Sequence, residues 1–290
     1  MRKIGESELI LNNDKSIFHL HLKKEHISDK IILVGDPGRV KVVSSFFDKI
    51  IYKIENREFL THTGYYNNEL ITVISTGIGT DNIDIVVNEL DALVNIDFET
   101  RTVKKEHKTL NFVRIGTSGA LQEDIDVDSF LVSEKAIGFD GMLNFYAERN
   151  NVSNLDFEQK FKDFVNWNPL LASPYVVDAS DNLINKIGKD LRKGVTISAP
   201  GFYGPQGRQL RLKTADTELN NKITAFNYNN YKITNYEMES SAIFGLSKIM
   251  GHNALTICAI IANRLKKQYS KDYHPVIKNL IKLVLDRYTE

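Results

Sequence analysis

Cysteine is nearly absent from this chain of 290 residues: Cys258 is the only one, and it lies inside the apolar run ALTICAII. A single cysteine excludes a framework of intramolecular disulfides and a zinc site built from several cysteines. For Cys258 itself we favour burial as a small hydrophobic residue over a role as a nucleophile. Stability must therefore come from an ordinary core, for which a hydrophobic content of 42% is sufficient.

Net charge is absent as well, because 37 basic and 37 acidic side chains cancel. This balance gives no general electrostatic reason to bind nucleic acid or a membrane surface, so an anionic ligand must be bound by local groups. No stretch approaches the roughly 20 apolar residues of a membrane span, and the segment MRKIGESELILNN lacks the apolar centre of a secretion signal. We therefore expect a cytoplasmic protein with neither nucleic acid nor membrane as a partner.

Short β-branched apolar runs alternate with helical patterns along the chain. This alternation predicts an α/β fold on a mixed central sheet, in one domain over residues 1–290, because no repeat or Pro/Gly/Ser linker divides it. We expect a hairpin turn at Asn67 and Asn68, and a helix in DNIDIVVNELDALVNI with Thr80 or Asp81 as N-cap. The unusual residues follow predicted strands, which is where open α/β sheets bind ligands.

Two arginines stand at predicted strand ends. GDPGR at residues 35–39 follows a strand and opens a helix, so backbone N–H groups and Arg39 can meet an anion there, although the motif also suits an ordinary turn. Arg114 in VRIGTSGA lies on a strand that should be buried, and a buried guanidinium needs an anionic partner. That partner is either a ligand or a carboxylate in a structural ion pair.

Glycines and carboxylates mark two further strand ends. STGIG at residues 75–79 lacks the third glycine of a dinucleotide-binding fingerprint, so we expect a close packing turn or a ligand approach. NYEMES places Glu237 and Glu239 two residues apart, where both can face the same hydroxyl groups. No histidine accompanies them at metal-ligand spacing. In FHLH we expect His19 and His21 on one strand face, as surface or subunit-contact residues rather than a metal pair.

The loop APGFYGPQGR at residues 199–208 combines turn-forming residues with a planar amide, Gln206, and a planar guanidinium, Arg208. These groups offer donors and acceptors in flat, forked geometry. We expect the loop to contact the edge of a small planar ligand.

Together, eight segments resemble the nucleoside phosphorylase-I family, in the family's order: FHL, GDPGRV, REF, STGIG, RIGTSGALQ, FYGPQGR, NYEMES and IIANR. They extend from about residue 18 to residue 264. The resemblance implies a three-layer sandwich around a mixed central sheet. The least matched segments lie near residues 97–109 and 150–174, and we expect insertions there.

The resemblance also implies a role for individual residues. The positions assigned to phosphate, with Arg57 supplied by a neighbouring subunit, are Gly35, Arg39, Arg57, Arg114 and Thr117. The positions assigned to the nucleoside, with His19 also from the neighbour, are His19, Phe202, Gln206, Arg208, Glu237, Met238 and Glu239. Arg208 and Gln206 would contact the O2, N3 and O4 edge of uracil and, with Arg114, form the catalytic set. Glu58 matches a residue that helps to bind a monovalent cation, potassium, between subunits in some members.

The implied activity is reversible cleavage of uridine by inorganic phosphate, giving uracil and ribose 1-phosphate, in a homodimer or hexamer with shared sites and no required cofactor. Residues 262–264 are Ala-Asn-Arg, without the carboxylate that purine-specific members place there, and this favours a pyrimidine. The retained arginines favour phosphate over water. A purine phosphorylase, a nucleosidase and a noncatalytic nucleoside-binding protein are the alternatives, and tolerance of thymine or deoxyribose stays open.

Overall fold

A large mixed β-sheet forms the centre of the computed structural model, which describes residues 2–290. The helices are α1 Pro37–Ser44, α2 Thr80–Asn95, α3 Arg149–Val152, α4 Leu155–Val165, α5 Asp181–Ile187, α6 Leu219–Ala225, α7 Ser240–Ile249 and α8 His274–Thr289. The strands are β1 Lys30–Val34, β2 Lys49–Asn56, β3 Phe59–Tyr66, β4 Glu69–Ser75, β5 Ile96–Asp97, β6 Thr102–Val103, β7 Asn111–Ala120, β8 Phe130–Gly138, β9 Tyr175–Asp178, β10 Arg192–Ser198, β11 Asn227–Tyr228, β12 Tyr231–Glu237, β13 Asn253–Asn263 and β14 Gln268–Tyr269.

The main sheet runs in the order β11-β12-β10-β8-β13-β7-β1-β4-β3-β2, with β9 paired to β8 and β14 to β13. Strand β12 also pairs with β7, placing Asn235 opposite Ala120 and Tyr236 opposite Gly119. The strands from β12 to β7 therefore close into a barrel-like ring. This closure brings the carboxyl ends of β7 and β12 together. The α/β fold on a mixed central sheet is confirmed.

The local sequence explains why these strands form. Residues 31–34 of β1 are all buried, as expected of a parallel strand between two neighbours, β4 and β7. The hairpin of β3 and β4 turns at Asn67 and Asn68, which have φ angles of 51° and 62°. Positive φ at both central residues is what a tight hairpin turn requires, and asparagine tolerates it. The predicted turn is confirmed.

Two local predictions are wrong. Helix α2 has Gly79 as its N-cap, with a φ angle of 100°, rather than Thr80 or Asp81. Glycine adopts this conformation without strain, so the backbone turn begins one residue earlier. The two histidines of FHLH do not share a strand, since residues 18–20 form a turn and His21 has a φ angle of 54°.

The segment 150–174, which we predict to be an insertion, contributes to the core. In helix α4 the side chains of Phe157, Phe161 and Val165 are buried, and they pack in one cluster with Phe226. The segment therefore forms part of the core. In the other predicted insertion, residues 97–109, the short strands β5 and β6 pair as a separate ribbon. Across residues 2–290, no helix combines the length and the apolar character needed to cross a bilayer.

The packing of α4 gives a stability prediction. Phe161→Ala should lower the free energy of unfolding by about 3–5 kcal/mol, because it removes a fully buried ring. Phe164→Ala on the same helix is the matched control: its ring is 51% exposed, so a change of about 1 kcal/mol or less is expected. Urea unfolding measures both. Equal losses in the two variants would contradict a core role for α4.

Candidate active site

One cavity of about 1220 Å³ opens where the carboxyl ends of the closed strands meet. Its wall contains all predicted site residues except His19 and Arg57, namely Gly35, Arg39, Glu58, Arg114, Thr117, Phe202, Gln206, Arg208, Glu237, Met238 and Glu239. Ser118 lines the cavity too. The fold thus gathers residues that are up to about 200 positions apart in sequence.

Arg39 supplies a cation at one end of the cavity. Its Nη1 donates to the carbonyl of Ile115 at 3.2 Å, and no carboxylate within residues 2–290 pairs with it. Burial lowers the pKa of Arg39, and the nearby Arg114 lowers it further. A guanidinium remains charged at neutral pH in spite of such shifts. Arg39 therefore presents a charge that the protein leaves without a counter-ion.

Arg114 is buried in the same end of the cavity between two carboxylates. It pairs with Oε2 of Glu239 through Nη2, and its Nη1 lies 3.4 Å from Oε2 of Glu237. Burial would lower the pKa of Arg114, but the two carboxylates outweigh burial and raise it. The structural ion pair that the sequence left open is present, in a residue that also borders the cavity. Its Nε is buried without a hydrogen-bond partner.

Gly116 explains how the Arg114 side chain reaches this position. Both residues are on β7, two apart, and so face the same side. A Cβ on Gly116 would lie 1.9 Å from Nη1 of Arg114, closer than any real contact. The guanidinium therefore lies across the strand only because residue 116 has no side chain.

The STGIG turn supports Glu239 from the opposite side. The N–H of Gly79 donates to Oε1 of Glu239 at 2.8 Å, so each oxygen of this carboxylate has a fixed partner. Gly77 and Gly79 both have positive φ angles, at 74° and 100°. The expected close packing turn is confirmed, and it fixes a carboxylate on the cavity wall.

The other end of the cavity is made by the loop predicted to contact a planar ligand. Oε1 of Gln206 accepts from Nη1 of Arg208 at 2.5 Å and from Nη2 of Arg264 at 3.0 Å. Because guanidinium groups only donate, the amide oxygen must face them, and the amide nitrogen remains available as a donor. Arg208 stacks on Phe202 at 3.7 Å and Arg264 lies 4.9 Å from the ring centre of Tyr236.

This end of the cavity is electropositive. Burial, together with the neighbouring Arg208, lowers the pKa of Arg264 to about 10. Neither arginine pairs with a carboxylate in the described part of the chain. The group offers donors and positive charge but no anionic acceptor. It suits a ligand edge that carries carbonyl oxygens or gains negative charge.

His19 and Arg57 lie outside this cavity but close to each other. Asn56 donates to the carbonyl of His19 at 2.7 Å, and Arg57 lies 5.6 Å from the ring centre of Phe18. Arg57 is in the turn between β2 and β3, with a φ angle of 56°. The cavity of a single chain therefore lacks both residues.

Over residues 29–286 the chain matches the profile of the Phosphorylase superfamily. The chain belongs to this superfamily. This match confirms the family resemblance that the eight sequence segments indicated.

Three similar proteins illustrate the relationship. A uridine phosphorylase from Thermococcus kodakarensis is 28% identical over 260 residues, covering 88% of this chain and 80% of that protein. A purine nucleoside phosphorylase of the DeoD type from Listeria monocytogenes is 29% identical over 243 residues, covering 83% of this chain and 85% of that protein. A solved nucleoside phosphorylase from Trypanosoma brucei, which shows uridine phosphorylase activity, aligns with a TM-score of 0.86 and 30% identity, covering 96% of this chain and 98% of that chain.

Arg264 is the site residue of this phosphorylase that sequence reasoning missed. The segment IIANR was used only for the carboxylate that it lacks. A charged residue directly after the mainly apolar strand β13 was the available signal, since such a residue stands at a sheet end where ligands bind. Its contact with Gln206, 58 positions away, depends on the tertiary fold.

Gly116 provides a test of the anion-binding end. Gly116→Ala should displace the Arg114 guanidinium and weaken phosphate binding by at least about tenfold, since a charge-assisted contact is lost. Gly119→Ala on the same strand is the control, because its Cβ would meet its nearest atom at 3.9 Å. Isothermal titration with inorganic phosphate measures the affinities. If Gly116→Ala binds phosphate as tightly as the wild type, Arg114 does not contribute to phosphate binding.

Proposed function

We propose that this phosphorylase is a uridine phosphorylase, which cleaves uridine with inorganic phosphate to uracil and ribose 1-phosphate. The observation that carries the proposal is the donor-only end of the cavity, formed by Gln206, Arg208 and Arg264. The relatives named above include both uridine and purine enzymes at similar identity. They support nucleoside phosphorolysis, and the absence of a carboxylate at residues 262–264 favours a pyrimidine over a purine.

The arginines at the two ends of the cavity have different roles in the reaction. Arg39 and Arg114 hold phosphate beneath the anomeric carbon, where it acts as nucleophile and offsets the positive charge that develops on the sugar. Glu239, already fixed by Gly79, accepts hydrogen bonds from the ribose hydroxyls. No cofactor takes part, since phosphate is the second substrate.

The departing base gains negative charge as the glycosidic bond breaks. Arg208 and Arg264 already stand in place with no carboxylate to neutralise them, so they stabilise this anion without reorganisation. The same donors favour a carbonyl at position 4 of the ring. Cytosine has an amino group at this position, and its N–H donors would face the N–H donors of the arginines.

We propose further that the active unit is an oligomer, a homodimer or a hexamer, in which His19 and Arg57 complete the cavity of a neighbouring subunit. Their proximity to each other and their absence from their own chain's cavity support this arrangement. His19 would lie near the 5′-hydroxyl and Arg57 would add a third guanidinium to phosphate.

A potassium ion between subunits also forms part of the proposal. Beside Arg57, Glu58 borders the cavity together with Ile78 and Asn82. Asn82 donates to the carbonyl of Ile78 at 3.5 Å, while the Glu58 carboxylate is in no ion pair within residues 2–290. These oxygen donors suit a hard cation. The Glu58 carboxylate and the Ile78 carbonyl would hold it, and the ion would supply positive charge at the subunit contact.

Three predictions from the sequence remain proposals. The chain forms a single domain over residues 1–290, residues 97–109 and 150–174 are insertions relative to the family, and the protein works in the cytoplasm.

Substrate choice gives a direct test. Uracil release from uridine should require inorganic phosphate. Cytidine should react at least about 100-fold more slowly, because its 4-amino group would face the arginine donors. Inosine should be slow as well, because residues 262–264 offer no carboxylate that could protonate purine N7. Chromatography of the products, with ribose 1-phosphate as the second product, measures this. Cleavage without phosphate would make the protein a nucleosidase, preference for inosine would make it a purine enzyme, and binding without turnover would make it a binding protein.

Mixed oligomers test the shared site. Arg57→Ala and Arg208→Ala should each be nearly inactive alone. Unfolded together and refolded as mixed dimers, they should regain about a quarter of the wild-type sites, since an isologous heterodimer has one intact site and one doubly altered site. Arg39→Ala mixed with Arg208→Ala is the control and should regain none, because both side chains line the same chain's cavity. No recovery in the first mixture would place Arg57 outside the neighbour's site.

A further inference from the structure

The Glu237 carboxylate is saturated by the protein itself, although the sequence predicts that it contacts the nucleoside. Ser198 donates its hydroxyl to Oε1 at 2.5 Å, and the N–H of Glu239 donates to Oε2 at 2.9 Å. The N–H of Ser240 lies 3.1 Å from Oε1 and 3.0 Å from Oε2. A carboxylate has about four acceptor positions. With a side chain only 1% exposed, Glu237 has little capacity left for a ribose hydroxyl.

On the side of Glu237 away from the cavity, a series of buried hydrogen bonds connects Ser198 to Asp140. The Ser198 hydroxyl accepts from the N–H of Ser241 at 2.9 Å, and the Ser241 hydroxyl donates to Asp140 at 2.9 Å. Asp140 also accepts from Tyr175 at 2.8 Å. These hydrogen bonds therefore connect the last residues of β10 and β12, and Asp140 just after β8, to the first turn of α7. Each member of the series is satisfied, so the series defines one geometry.

In front of Glu237 stand the two groups that meet the substrates. Its Oε2 is 3.4 Å from Nη1 of Arg114, while Glu239 takes Nη2 of the same guanidinium. The backbone N–H of Glu239 is held by Glu237 as well. One carboxylate thus orients both the phosphate-binding arginine and the ribose-binding glutamate.

We propose that Glu237 and Ser198 are positioning residues, which fix Arg114 and Glu239 relative to each other across the ribose–phosphate end of the cavity. Ser198 acts by holding the Glu237 carboxylate, and neither residue touches the substrates. The inference rests on the proposed function, because that function assigns phosphate to Arg114 and ribose to Glu239.

Ser198→Ala removes the link with the smallest change of shape. Turnover with uridine and phosphate should fall about 10- to 100-fold, because small displacements of groups that hold reactants cost this much. Ser133→Ala is the matched control: Ser133 is also 0% exposed, and its hydroxyl makes a buried bond of 2.6 Å to Thr196 rather than to Glu237. Both variants should unfold at lower urea concentrations than the wild type, but only Ser198→Ala should lose turnover.

Comparison of two bases separates positioning from a general loss of activity. With 5-fluorouridine, whose base is a better leaving group, Ser198→Ala should show the same fractional loss as with uridine, since the lesion lies at the ribose–phosphate end. Arg208→Ala should show a smaller loss with 5-fluorouridine, because a better leaving group needs less stabilisation. Glu237→Gln, in which an amide donor faces backbone donors, should follow Ser198→Ala with a larger loss.

Ribose 1-phosphate binding gives a readout that needs no base. Calorimetry should show affinity at least about tenfold weaker in Ser198→Ala than in Ser133→Ala, since this ligand meets both oriented groups. Wild-type protein that binds ribose 1-phosphate but does not cleave uridine would overturn the proposed function and leave the inference standing. Equal affinities and turnovers in the two serine variants, with active wild type, would overturn the inference alone. Wild type without affinity for ribose 1-phosphate would overturn both.

Discussion

The buried guanidinium of Arg114 is the constraint on which the rest of the site depends. A charge in the interior is costly unless it is paired, and removal of one partner leaves the other uncompensated. The fold meets this requirement with Glu237 and Glu239, at the end of a strand that closes against β7. The glycine at 116, the turn at Gly79 and the start of α7 all serve the same ion-paired group.

The two ends of the cavity use their arginines differently. At one end, Arg114 is paired with two carboxylates, and Arg39 beside it is the guanidinium without a carboxylate partner. At the base end, Arg208 and Arg264 are unpaired and have only an amide oxygen between them. A neutralised cation orients its ligand through hydrogen bonds, whereas an unpaired one responds to charge that appears during reaction. This asymmetry suits a permanent anion at one end and a transient anion at the other.

The sequence predicted best those features that depend on a few neighbouring residues. The hairpin turn at Asn67 and Asn68, the position of Arg39 in the helix that opens after β1 and the buried strand position of Arg114 could be predicted, because turn residues and apolar runs act over a few positions. It performed worse where conformation depended on a distant contact. The N-cap of α2 is Gly79 because that backbone turns toward Glu239, 160 positions away. Helix α4 carries Phe157, Phe161 and Val165 at the i, i+4, i+8 spacing of an apolar face. Only the tertiary structure shows that this face packs against Phe226, about 60 positions away.

The sequence by itself determined the α/β class, the superfamily and eleven of the residues on the cavity wall, because these follow from patterns and motifs that short segments carry. Only the tertiary structure decided how those side chains divide their roles. Closure of β12 onto β7 sets Glu237 behind Arg114 rather than in front of it, and brings Arg264 to Gln206. Hydrogen-bond saturation of a carboxylate depends on which groups surround it in space, and that arrangement is fixed by the fold.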